Sequence, residues 1–268
     1  MNIHKIYYLL LIVMLSCIGC EWQFLSPDED GFVAVNRYDR VESLYLTTGD
    51  FSALQQMNTV YPTQTRTLIE DVLRIGKVDD QEINKKFLRF YQDSTLQALI
   101  SEAELQYANM DDINQDLANA FKYLKEQIPT MEIPEIYAQI GSLDQSVIVG
   151  NNSIGICLDK YLGEDYPLYQ KQEYGYTKEQ LMMMNRQYVV PDCIGFYLLS
   201  LYPIPSDSID SQFVRDIHIA KIQWIVNLAT GKQAFDTQYT QLITRFMTKN
   251  KNLTVAELLK INNYSDFK

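Results

Sequence analysis

Ser146-Val147-Ile148-Val149-Gly150-Asn151-Asn152-Ser153-Ile154-Gly155-Ile156-Cys157-Leu158 is the stretch that decides the fold class. Two runs within it, Ser146–Val149 and Ile154–Leu158, have the composition of strands, and the Gly-Asn-Asn between them is a turn signal. A third run of the same character, Ile133–Ile140, comes shortly before them. The sequence therefore predicts a small sheet in the middle of the chain.

Helical patterns lie on both sides of this predicted sheet. Asp112–Ile128 is the clearest, because its apolar residues form one stripe at helical spacing and Pro129 ends it. The other predicted helices are Thr63–Ile75, Asp80–Tyr91, Ser94–Tyr107, Asp192–Tyr202 and Ser211–Ala229, with one that begins at Thr177 and another that begins at Thr254.

Pairs of polar residues mark several helix starts. Ser94 with Gln97, and Thr177 with Gln180, have the spacing of a capping box, and Gly231 is a C-terminal stop signal. The sequence thus predicts an α+β fold that is mostly helical, with one domain over residues 37–268 and a small central sheet, antiparallel or mixed. This order of elements resembles the layout of zincin-type metallopeptidases.

The N-terminus has the character of a lipoprotein signal peptide. Lys5 precedes an uncharged apolar run that is too short to span a bilayer, and small residues with two thiols close it. Lipoprotein signal peptidase cleaves before a diacylated cysteine that follows a small residue. Cys20 is the favoured anchor, because Gly19 before it is smaller than Ser16 before Cys17. Cys17 is the alternative. Residues 1–20 are thus a predicted signal peptide and residues 21–36 an acidic tether.

The acidic composition limits the classes of partner. The chain has 23 Lys and Arg against 34 Asp and Glu, for a net charge of −11, and loss of residues 1–20 removes one lysine to give −12. Phosphates would be repelled and no basic stripe is present, so nucleic acid is not an expected partner. Only the acyl chains on the N-terminal cysteine are expected to hold the protein to a membrane.

Two cysteines remain after the predicted signal peptide, Cys157 and Cys193. An exported protein can join such a pair in a disulfide, which would stabilise it by roughly 3–4 kcal/mol. The simpler alternative is that both are buried thiols, because a core of this size needs no covalent link.

The residues required by common catalytic sites are missing. A zincin site needs two histidines four residues apart on one helix, with a glutamate as base. The chain has only His4 and His218, and His4 leaves with the signal peptide. A zinc peptidase is therefore excluded, and His218, in an apolar run, is expected to be structural. No phosphate-binding or nucleophile-elbow motif is present, so we expect no metal and no cofactor.

The segment Ile154–Tyr169 resembles the L-D-x-[FY]-L-G-x-x-Y block of the gliding-motility lipoprotein B family. Arg37-Tyr38-Asp39-Arg40, Pro134-x-x-Tyr137 and Val190-Pro191-Asp192 add to the likeness, as does the lipoprotein-type N-terminus. The resemblance implies an envelope lipoprotein of a Gram-negative bacterium, linked in some relatives to gliding and its secretion apparatus. It also implies a zincin-like scaffold, which here lacks the zinc-binding histidines.

The same segment supplies the candidate interaction loop. Gly163 is expected to permit a tight turn, and Asp159 to anchor it by accepting backbone N–H bonds. The loop tyrosines can either pack the loop on the sheet or form an exposed recognition surface. The candidate residues are Asp159, Tyr161, Gly163, Asp165, Tyr166, Tyr169 and Asp192.

Three functions follow from these observations. The first is a non-enzymatic lipoprotein, anchored in the outer membrane, that binds other envelope proteins, such as those of a gliding or secretion apparatus. The second is a hydrolase that uses Asp159, Asp165 and Asp192 as acid and base. The third is a glycan- or peptide-binding surface protein that uses the loop tyrosines as stacking platforms.

Overall fold

A computed structural model describes residues 33–205 and 211–267 of the chain. Most of this part is helical, and three short strands lie in the middle of it. The helices are α1 (Tyr38–Thr48), α2 (Phe51–Thr59), α3 (Pro62–Thr67), α4 (Ile83–Phe90), α5 (Ser94–Gln106), α6 (Asp111–Gln127), α7 (Lys178–Met183), α8 (Val189–Leu201), α9 (Gln212–Thr230), α10 (Gln238–Lys249) and α11 (Val255–Lys260), and the strands are β1 (Glu135–Gln139), β2 (Val147–Gly150) and β3 (Ser153–Cys157).

The three strands form one mixed sheet in the order β1-β3-β2. β1 is parallel to β3, with Gln139 opposite Cys157, and β2 is antiparallel to β3. The predicted α+β class and the small mixed sheet are therefore confirmed. Tyr137 lies across Gly155, where an added Cβ would come within 2.6 Å of the ring, so this position of β3 accepts glycine alone without a shift of Tyr137.

Helices cover this sheet and build the rest of the core. α1 packs on β1, and α8 packs on β2 and β3. α6, α8 and α9 pack on one another, and the stripe predicted on α6 is buried, including Ile113, Leu117 and Phe121. Two separate sets of apolar contacts thus hold the sheet, one from the start of the chain and one from its second half.

The capping signals at Thr177, Thr254 and Gly231 are confirmed. Thr177 with Gln180, and Thr254 with Glu257, form capping boxes, and Gly231 ends α9 with φ +64°. The predicted box at Ser94 was wrong. Asp93 caps α5, and its carboxylate accepts from the backbone N–H groups of Thr95 and Leu96. The Gln97 side chain donates to the carbonyls of Leu46 and Tyr91 instead.

The end of the predicted tether packs against the domain. Within residues 21–36, Val33 and Val35 are buried, and Asn36 forms a parallel bridge with Tyr137. Asn36 N–H donates to the Ile136 carbonyl at 2.8 Å. The segment 33–36 thus lies along the outer edge of β1. The predicted signal peptide and the rest of the predicted tether lie outside the described residues.

The two remaining cysteines, Cys157 and Cys193, are free and buried, as the simpler prediction had it. Within residues 33–205 and 211–267, no helix combines the length and the apolar character that crossing a bilayer requires.

Candidate functional site

Asp159 lies inside the core, at the start of the predicted loop. It lies in a 3₁₀ turn directly after β3 and is completely buried. Its Oδ1 accepts from Gly141 N–H at 2.6 Å, and its Oδ2 accepts from Leu143 N–H at 2.8 Å. Leu143 has φ +63°, a conformation that costs free energy for this residue type. Asp159 therefore accepts backbone N–H bonds as predicted, but the segment that it holds is 141–143 and not the turn at Gly163.

Two of the predicted loop tyrosines are structural. Tyr161 and Tyr169 are buried, and their hydroxyls donate inside the domain. Tyr161 donates to Asp192 Oδ2 at 2.8 Å, and Tyr169 donates to the Asp159 carbonyl and accepts from Leu162 N–H. Because Asp159, Tyr161 and Tyr169 are enclosed, the predicted interaction loop must be corrected. These three residues pack the loop and do not form its outer surface.

The accessible part of the loop lies between these tyrosines. Gly163 has φ +107°, which confirms the predicted turn, and its N–H donates to the Met184 carbonyl. Asp165 is exposed, and Tyr166 is half-buried with its ring edge-on to Tyr169 at 5.1 Å between centroids. Gly163, Asp165 and Tyr166 are thus the predicted site residues that reach solvent here.

Asp192 lies in the first turn of α8, as predicted. Burial raises its pKa to about 6, while the hydrogen bond from Tyr161 acts in the opposite direction. Its second carboxylate oxygen has no hydrogen-bond partner among the described residues. The structure therefore joins Asp192 to Tyr161 but leaves one oxygen of Asp192 without a partner within residues 33–205 and 211–267.

The three carboxylates of the hydrolase hypothesis are in different surroundings. Both oxygens of Asp159 are occupied by backbone N–H groups, and its side chain has no exposed area. Asp165 is exposed. Asp159 is therefore placed to hold a backbone turn, where a substrate has no access to it.

A buried polar cluster between α1 and the sheet was not predicted. Glu42 is completely buried, and its Oε2 accepts from Ile140 N–H at 2.9 Å. Burial raises its pKa well above the ordinary value, and the carboxylates of Asp39 and Asp159 raise it further. Gln139 donates to Cys157 Sγ at 3.2 Å. Tyr91 donates to the Ile140 carbonyl at 2.7 Å.

Three atoms of this cluster have no hydrogen-bond partner among the described residues: Tyr38 Oη, Glu42 Oε1 and Gln139 Oε1. Burial raises the pKa of Tyr38 well above its usual value, and Thr65 acts in the opposite direction. The Thr65 hydroxyl itself donates to the Met57 carbonyl. The sequence held one signal for this cluster. Glu42 follows Tyr38 by four residues, which puts a carboxylate on the buried face of α1.

His218 has a structural role, as expected. It is buried on α9, with Nε2 at 2.8 Å from the Tyr202 carbonyl and Nδ1 at 2.8 Å from the Tyr264 hydroxyl. Because a carbonyl can only accept, Nε2 carries the proton. Burial lowers the pKa of His218. In the described ranges, no group of three or more His, Cys, Asp and Glu side chains is placed to hold a metal ion.

The exposed side of the loop borders an open groove, here called the Tyr166 groove. It lies between the start of α5 and the loop after Gly163, with a volume of about 350 Å³. Its lining residues are Ser94, Thr95, Ala98, Tyr166, Pro167, Leu168 and Lys171.

A family model described as gliding motility protein GldB matches residues 28–235. The chain belongs to the GldB family. The match includes the Ile154–Tyr169 segment on which the resemblance was based. Membership in the GldB family indicates a lipoprotein of the cell envelope that is linked to gliding motility. The predicted anchor Cys20 precedes the matched residues and lies outside the described part of the chain.

The comparison with curated proteins and the comparison with solved structures found no match. The zincin-like layout therefore stays a prediction from the order of elements.

Proposed function

We propose that the protein is a non-enzymatic lipoprotein that binds other envelope proteins, among them components of a gliding or secretion apparatus. Acyl chains on Cys20 anchor it in the outer membrane. GldB family membership supports the envelope role. The non-enzymatic part rests mainly on Asp159, because the central carboxylate of the hydrolase hypothesis has both oxygens bound to backbone N–H groups.

The Tyr166 groove is the surface that we assign to partner binding. The Tyr166 ring rests against buried Tyr169, so little side-chain freedom is lost when a partner covers it. Tyrosine is frequent among the residues that dominate binding energy at protein interfaces. Ala98 on α5 is exposed and borders the groove, and Lys171 supplies one positive charge in an otherwise acidic protein. A partner with an apolar segment beside an acidic group would fit this surface.

The test is crosslinking in intact cells, followed by affinity purification of the anchored protein and mass spectrometry. Two variants change the groove by different means: Tyr166→Ala removes the ring, and Ala98→Arg adds a bulky charge on an exposed helix position. Arginine and alanine both favour helix, so Ala98→Arg should leave the fold intact. Tyr239→Ala, on α10, is the matched control, and Cys20→Ala sets the unanchored background.

We expect defined gliding or secretion components to be recovered with the unchanged protein and with Tyr239→Ala. Both groove variants should reduce their recovery at least tenfold. Recovery no higher than with Cys20→Ala would contradict partner binding. Equal recovery with both groove variants would contradict the assignment to the Tyr166 groove. Hydrolysis of an envelope polymer by the purified protein, lost in Asp165→Asn or Asp192→Asn, would contradict the non-enzymatic role.

A further inference from the structure

A second groove, here called the hairpin groove, lies on another part of the domain. The turn between β2 and β3 forms one wall, the C-terminal end of α8 forms another, and the loop after α6 closes a third side. Its volume is about 610 Å³, which is within the range of small-ligand sites. It shares no residue with the Tyr166 groove.

Polar groups without a hydrogen-bond partner in the described part of the chain surround the hairpin groove. The side chains of Thr130, Glu132, Asn151 and Asn152 are exposed, and none of them forms a hydrogen bond with any described residue. The Tyr202 hydroxyl, at the end of α8, has no partner in the described ranges either. Together they offer amide and hydroxyl donors, and carbonyl, hydroxyl and carboxylate acceptors.

Hydrogen bonds fix the backbone that carries these groups. Tyr197 on α8 donates to the Glu132 carbonyl at 2.7 Å, which ties the loop after α6 to the helix. His218 donates to the Tyr202 carbonyl at 2.8 Å. In the turn, Asn152 has φ +57°, which asparagine tolerates, and its carbonyl accepts from Glu135 N–H. The backbone positions from which these side chains project are therefore fixed, which lowers the entropy that ligand binding would cost.

The chemistry of the lining narrows the class of ligand. Glu132 is the one charged side chain among the residues that line the groove, so an anionic ligand would be repelled. Leu201 is 44% exposed, and Val149 is half-buried, so apolar surface lies beside the polar groups. A sugar ring matches this mixture, because it has an apolar face and an edge of hydroxyls that both donate and accept. We infer that the hairpin groove binds a neutral oligosaccharide, with Asn151 and Tyr202 donating to its hydroxyl groups.

The test uses the full-length protein in a detergent without a sugar headgroup, such as lauryldimethylamine oxide. Cellotetraose, chitotetraose and laminaritetraose are titrated and followed by calorimetry and ligand-observed NMR. Asn151→Ala and Tyr202→Phe each remove one hydrogen-bonding group, and Tyr202→Phe keeps the ring that supports the fold. Asn58→Ala, at an exposed position of α2, is the matched control.

We expect at least one tetrasaccharide to bind, with a Kd that rises about threefold to tenfold in each groove variant and stays unchanged in Asn58→Ala. Failure of all three sugars to bind at millimolar concentration would overturn the inference. Equal binding by both groove variants and the unchanged protein would also overturn it. So would preferential binding of a neutral acetylated tetrapeptide, which would make the groove a peptide site.

Discussion

Asp159 and Glu42 are both completely buried carboxylates, yet their surroundings differ in one decisive respect. Asp159 follows β3 and has a backbone N–H group on each oxygen. Glu42, on α1, has such a partner on Oε2, whereas Oε1 has none among the described residues. Burial disfavours the charge of both groups, and N–H donors favour it. The pKa of Asp159 is accordingly raised, and that of Glu42 is raised well above its usual value.

The difference shows that burial alone does not define what a carboxylate does. Asp159 uses both of its oxygens as hydrogen-bond acceptors to hold a strained backbone segment. Glu42 uses only Oε2 as an acceptor. Its second oxygen lies in a cluster where Gln139 Oε1 also has no donor among the described residues. A proton on Glu42 would give this cluster a donor. Replacement of each acid by its amide should therefore have opposite effects on stability.

The largest effect is expected for Asp159→Asn. The amide has one acceptor oxygen and one NH₂ group, so either Gly141 N–H or Leu143 N–H would face a donor. We expect the free energy of unfolding to fall by about 2–3 kcal/mol, since a buried N–H group without a partner is costly. Urea denaturation of the full-length protein measures this loss.

Asp165→Asn is the control for this change, because Asp165 lies on the same loop and is exposed. Its substitution should change the free energy of unfolding by less than about 0.5 kcal/mol. If Asp159→Asn were as mild, the carboxylate would not be what holds segment 141–143, and the contrast with Glu42 would disappear.

Glu42→Gln should raise stability, most clearly at high pH. The folded state binds the Glu42 proton more tightly than the unfolded state, so the stability of the unchanged protein falls as pH rises above about 4.5 towards the folded pKa. Glutamine does not titrate, and it can still accept from Ile140 N–H. Each unit by which the pKa is raised corresponds to about 1.4 kcal/mol of this penalty.

The measurement is the free energy of unfolding at pH 4, 6 and 8. The advantage of Glu42→Gln over the unchanged protein should grow across this series, while Glu126→Gln, at an exposed position of α6, should show no such trend. A Glu42→Gln protein that is less stable than the unchanged protein at pH 8 would mean that the cluster requires the charge.

The same contrast explains which features the sequence could predict. The three strands, the capping boxes at Thr177 and Thr254, and the stop at Gly231 depend on neighbouring residues, so local patterns find them. That Asp159 accepts backbone N–H bonds was predictable too, because aspartate side chains commonly bond to turn backbone. The segment that it holds was not predictable, because Gly141 and Leu143 lie 18 and 16 residues away along the chain. Glu42 was missed because its partner, Ile140, is 98 residues away along the chain.

The loop tyrosines show a second limit. An irregular loop has no fixed period, so the sequence could not separate Tyr166, which reaches solvent, from Tyr161 and Tyr169, which do not. Competition between neighbouring caps is a third limit. Asp93 and Ser94 are both good N-cap residues, and only the structure shows that Asp93 is the one used.

Asp192 is intermediate between Asp159 and Glu42, because one of its oxygens accepts a hydrogen bond from the Tyr161 hydroxyl. The smallest of the three effects is expected for the loss of this bond. Its pKa of about 6 is above the usual 3.8, so its contribution to stability falls as pH rises from about 4 to about 6. Tyr161→Phe removes the bond that opposes this shift. We expect the Asp192 pKa to rise further, as followed by NMR titration of the carboxyl group.

The loss of stability in Tyr161→Phe should depend on pH in the same sense. A hydroxyl donates more strongly to a charged carboxylate than to a protonated one, so the loss should be about 1 kcal/mol at pH 8 and smaller at pH 4. Tyr188→Phe is the control, because the Tyr188 hydroxyl forms no hydrogen bond within residues 33–205 and 211–267. A loss that is equal at both values of pH would place the effect in the packing of the Tyr161 ring and not in its bond to Asp192. Asp192 would then resemble Glu42, a carboxylate whose environment favours the proton, more closely than Asp159.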